Sequence, residues 1–123
     1  MTLTEYHVDR GQDEFDGAVA IRCLDCKMPV LVLVGRDGLD DYFGWPWTLA
    51  DKRGPTIEER RLVVDRHIED FQVLIQGMYS RGEHEPLDRF GSTIRLIRID
   101  HISKAEITLT DSVIQISRGS KFG

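Results

Sequence analysis

"TIEERRLVVDRHIEDFQVLIQGMYSRG", residues 56–82, decides the fold. At about 100° per residue, Ile57, Val64, Ile68, Phe71, Ile75 and Met78 fall on one narrow stripe, widened by Val63, Leu74 and Tyr79. Thr56, followed three residues later by Glu59, forms a capping box in which each side chain accepts from the other residue's amide. Gly82 supplies the left-handed residue that closes the far end, and Pro86 prevents the helix from resuming. The pattern predicts one long amphipathic helix over about 57–81, whose apolar side must be covered by a second layer.

The second layer is written upstream. Val19, Ile21 and Cys23 alternate with Ala18, Ala20 and Arg22, which is the period of a strand with one buried face. Val30 to Val34 is apolar at every position, as in a central strand covered on both sides. The link "LDCKMP" is short enough to make these two an antiparallel hairpin over about 17–34. Leu39, Tyr42 and Phe43 then recur at helical spacing, predicting a short helix over about 37–43. Downstream, "STIRLIRI" predicts a strand over about 93–99, and alternation around a "TDS" turn predicts two more over about 106–110 and 113–117. The expected class is α+β: a single domain, residues 1–123, with an antiparallel sheet packed on the long helix.

Composition narrows the function classes. The chain has a net charge of −5, and residues 1–51 carry 10 acids against 4 bases. In the later part basic and acidic residues alternate, as in "EERRLVVDRHIED", which reads as a solvated helix face and not as a phosphate-binding stripe. Nucleic acid is therefore not an expected partner. The longest apolar run, Met28 to Val34, is far short of the roughly 20 residues that span a bilayer, and the acidic start does not resemble a signal peptide. A cytoplasmic protein without a membrane partner is expected.

Cys23 and Cys26 are the first candidates for chemistry. Zinc wants four soft or imidazole ligands, and the chain offers one CxxC pair and four isolated histidines: His7, His67, His84 and His101. A redox CxxC sits at a helix N-terminus, whereas this pair precedes a strand. The reading adopted makes Cys23 a small core residue and Cys26 a turn residue, with no cofactor. The alternative is a zinc-binding or thiol-dependent protein that uses Cys23 and Cys26. His67, on the flank of the stripe beside Asp70, reads as a hydrogen-bonded, partly buried imidazole. His84 lies between two carboxylates in "EHEP", and neither a GxSxG elbow nor a phosphate-binding loop is present. No catalytic residue is assigned.

Partner-binding candidates are Leu62 and Val73, three turns apart on the polar side of the helix, and Trp45 and Trp47 in the loop "WPWTLADKRGP". They point to a non-enzymatic interaction or regulatory module whose partner is a second copy of itself or another protein.

Two segments resemble a small bacterial family known only as a domain of unknown function. "VLVLVGRDGLDDYFG" is similar to that family's strand, short Arg-Asp-x-Leu helix and Phe-Gly end. "RHIEDFQVLIQGMYSRGEHEP" is similar to its main helix, at Ile68, Glu69, Tyr79, Gly82, Glu85 and Pro86. The similarity spans about residues 15–99; the tryptophan loop and the C-terminal hairpin depart from it. The resemblance implies a compact α+β unit and brings no activity with it.

Overall fold

The computed structural model describes residues 2–43, 56–89 and 91–110. Eight elements follow in order: β1 (Leu3–Val8), β2 (Val19–Asp25), β3 (Met28–Val34), α1 (Arg36–Phe43), α2 (Ile57–Arg66), α3 (Ile68–Ser80), β4 (Glu85–Arg89) and β5 (Ser92–Ile99). The class is α+β, as the periodicities require. The strands form one five-stranded sheet in the order β1-β2-β3-β5-β4.

The expected hairpin is present, with Val19 opposite Val34 and Asp25 opposite Met28 across a two-residue turn at Cys26 and Lys27. The sheet is not purely antiparallel, however. β3 and β5 run parallel, Val30 beside Arg95 and Val34 beside Ile99, because the chain leaves β3, crosses through the helices and β4, and returns in the same direction. Two further strands, β1 and β4, form the edges.

The long helix is broken at one residue. The capping box of α2 forms as expected: Thr56 Oγ1 accepts from the Glu59 amide at 3.1 Å and Glu59 Oε1 accepts from the Thr56 amide at 3.0 Å. At His67 the backbone opens to φ −109°, and its amide divides between the Val63 and Val64 carbonyls before the ladder resumes with Phe71 donating to the His67 carbonyl. The stripe survives the break. Val63, Val64, Phe71, Ile75 and Tyr79 are buried, with Ile57, Ile68, Leu74 and Met78 partly buried beside them. Gly82, at φ 78°, closes α3 as the left-handed residue after its C-cap.

The helical stripe and Leu39 of α1 pack on the sheet face formed by Val19, Ile21, Cys23, Val32, Val34, Ile97 and Ile99. Glycine at position 38 lets α1 lie against the end of β5, since a Cβ there would come within 2.9 Å of the Asp100 carbonyl oxygen. Residues 106–110 are not a strand. Ile107 and Leu109 are nonetheless buried in the same core, held by the Leu109 amide donating to Tyr42 Oη at 2.8 Å and the Thr110 amide to His67 Nε2 at 3.0 Å. The expected strand at 113–117 lies outside the described residues. Among those described, no helix is long and apolar enough to cross a membrane.

Candidate functional site

The sheet's other face carries a second apolar cluster: Ala20, Leu31, Ile94 and Leu96, with Phe15, Leu33 and Leu87 packed against it. Among the described residues no helix contributes to this cluster. Part of the cover comes from the link between β1 and β2. Phe15 sits under the Arg89 guanidinium, 5.1 Å from carbon to ring centroid, and Arg89 also pairs with Glu14.

Beside this cover lies a cavity of about 260 Å³. Its floor is Leu24, Pro29, Leu31 and Ile94, and its polar groups are Glu5, His7 and Arg22. An irregularity in β1 places the first two. The register slips between Thr4 and His7, and Glu5 adopts φ 57°, a left-handed conformation uncommon outside glycine. Leu3 and Val8 can therefore both face the core although they are five positions apart, an odd offset that strict alternation forbids. His7 then lies opposite Arg22. His7 Nδ1 is 3.3 Å from the Glu5 carbonyl oxygen. Arg22 Nε donates to Asp9 Oδ2 at 2.8 Å, which fixes the guanidinium. The Gly11 amide and Arg22 together hold the Asp9 carboxyl below its ordinary 3.8. Among the described residues Glu5 takes part in no ion pair. An apolar floor flanked by a carboxylate, an imidazole and a pre-set guanidinium can hold a small amphipathic ligand.

Two cavities of about 320 Å³ each lie where α3 ends beside β5, sharing Met78, Glu83 and Arg98. Their charges are largely spent on one another, as Arg81 pairs with Glu83 and Arg98 with Glu85. His84 also lies there, its ring 4.6 Å from that of Tyr79 and its buried Nδ1 without a hydrogen-bond partner among the described residues.

Among the described residues, those singled out from sequence are not brought together. Cys23 is buried on the helix-facing side of β2, and burial pushes its thiol up to about 11. Cys26 is exposed in the turn, at φ 57°. Among the described residues, no three His, Cys, Asp or Glu side chains are grouped to hold a metal ion. Leu62 and Val73 stand in solvent on α2 and α3, 38% and 76% exposed. Trp45 and Trp47 lie outside the described residues. His67 is partly buried and bonded, 3.5 Å from Asp70 and accepting from Thr110.

Sequence reasoning overlooked Glu5 and Arg22 and treated His7 as isolated. The usable signal was the odd separation of Leu3 and Val8, which implies a bulge once both are assigned to the core. No family model, curated protein or solved structure matches the chain, so the site is read from its geometry alone.

Proposed function

We propose that this chain is a non-enzymatic interaction or regulatory module of the cytoplasm that acts as a homodimer. One observation carries the reading. A sheet face with no helix over it among the described residues carries a buried apolar cluster, covered in part by Phe15, Leu33 and Leu87, and beside it a cavity ringed by Glu5, His7 and Arg22. Charged groups around that cavity suit recognition. Support for self-association comes from Leu62 and Val73, the exposed large apolar side chains of α2 and α3. Trp45 and Trp47 belong to the same proposal as further contacts.

Native mass spectrometry of untagged protein tests it in one measurement by reporting subunit number, bound metal and any co-purified small molecule. A dimer that becomes monomeric in the Leu62→Glu, Val73→Glu double variant is the expected result. A monomeric parent overturns the dimer, and one zinc per chain lost on Cys23→Ser replaces the reading with the metal-binding alternative.

A further inference from the structure

We propose that the cavity beside β1 on the helix-free sheet face binds a free α-amino acid with an apolar side chain, its ammonium group at Glu5, its carboxylate at Arg22 and its side chain over Leu24 and Pro29. The proposal rests on reading that face as a recognition surface, and it names the ligand.

Size restricts the class first. Pockets for drug-sized ligands run from roughly 300 to 1,000 Å³. A cavity of about 260 Å³ suits a smaller metabolite. The floor then demands an apolar body, since Leu24, Pro29, Leu31 and Ile94 offer no side-chain hydrogen bond to a polar one. Both signs of charge stand around it. A ligand with only a carboxylate would leave Glu5 facing an anion, and one with only an amine would leave Arg22 facing a cation. A zwitterion satisfies both, and in an α-amino acid the two charges and the apolar branch radiate from one carbon.

Two further features are those of a prepared site. The left-handed backbone of Glu5 sits at the register slip of β1 against β2, which turns its carboxylate to the rim of the cavity. Arg22 is already oriented by Asp9, which is itself fixed by the Gly11 amide, so little freedom is lost when the remaining guanidinium donors meet a carboxylate.

The test is titration of the full chain, followed by ¹H–¹⁵N NMR and calorimetry, with four probes: L-leucine, L-leucinamide, 4-methylpentanoate and glycine. Leucine is expected to give saturable shifts centred on His7, Arg22, Leu24 and Leu31. The amide, the acid and glycine, each lacking one of the three recognised groups, should bind at least about tenfold more weakly. Glu5→Gln should weaken leucine about tenfold while leaving 4-methylpentanoate equal or tighter, a reversal that damage to the fold would not produce. Absence of saturable shifts with leucine at millimolar concentration, equal binding of all four probes, or indifference to Glu5→Gln would overturn the proposal. The subunit number is independent of these results: a dimer that ignores leucine sinks the ligand alone, and a monomer that binds it sinks the dimer alone.

Discussion

The Tyr79 hydroxyl donates to Asp25 Oδ2 at 2.5 Å, tying the last turn of α3 to the end of β2 beneath the core. Asp25 is 8% exposed and Tyr79 3% exposed, so neither group can turn to water instead. Tyr79→Phe keeps the ring in place against His84 but leaves the buried carboxylate without this donor. The expected cost is about 1–3 kcal/mol, read as a lower urea midpoint at unchanged slope.

The same burial sets the alkaline limit of the fold. Tyr79 and Tyr6 are pushed up to about 12 from 10.0, by burial first and then, for Tyr79, by the Asp25 hydrogen bond and, for Tyr6, by the nearby Cys23. Burial likewise takes Cys23 to about 11 from 9.0. All three are neutral in the folded chain at pH values where the unfolded chain has begun to ionise. Their contribution is therefore intact below about 9 and is lost as the pH rises from about 9 to 12. Asp9 works in the opposite sense, contributing above its ordinary 3.8 and losing that contribution as pH falls below it. Denaturant midpoints across this range should decline on the alkaline side, and Tyr79→Phe should make the decline shallower above pH 10.

The two thiols should differ by orders of magnitude in reactivity. Cys26 is exposed, whereas Cys23 is 2% exposed with its thiolate disfavoured. Labelling with an aromatic disulfide in native buffer should release one equivalent per chain rapidly and the second only at the rate of unfolding. Cys26→Ser should abolish the fast phase, and a fast phase that survives would place Cys23 at the surface.

Arg60 reaches back from α2 to Asp40 of α1 through two bonds of 3.0 Å, with both side chains at most 4% exposed. Removing one member of a buried pair strands the other. Arg60→Met should cost about 3–5 kcal/mol, and adding Asp40→Leu should recover most of it, since a buried pair and an apolar pair of similar volume are often nearly equal in stability. Thermal or urea unfolding of the single and double variants measures both numbers.

These residues also mark where sequence is legible. The hairpin could be read because β2 alternates, and β3 does not for a physical reason: helices lie on one side of it and the Leu31 cluster on the other. The stripe from Val64 to Tyr79 could be read because a backbone opening at one residue, with neither proline nor glycine, barely disturbs a 3.6-residue period. Arg60 and Arg61 could not. Their charges suggested a solvated face, and they are buried because Asp40, Glu58 and the Gly11 carbonyl, remote from both in sequence except for Glu58, meet them there. Parallel pairing of β3 with β5 was hidden for a similar reason, as it depends on the path of the crossover and on nothing local. β4 escaped notice because "EPLDR" is short, charged and interrupted by proline. The cavity was the least legible part. Glu5, His7 and Arg22 converge only after a bulge has shifted one strand against the next, and no motif spacing encodes that.

Both borders of the sheet are spoiled for extension. Pro86 sits in β4 without an amide hydrogen to offer, and the left-handed Glu5 bends β1 out of regular register. A neighbouring molecule thus finds no straight ladder on which to add its own strand at either rim. Crowded copies of this chain are steered away from ribbon-like polymers by both described rims.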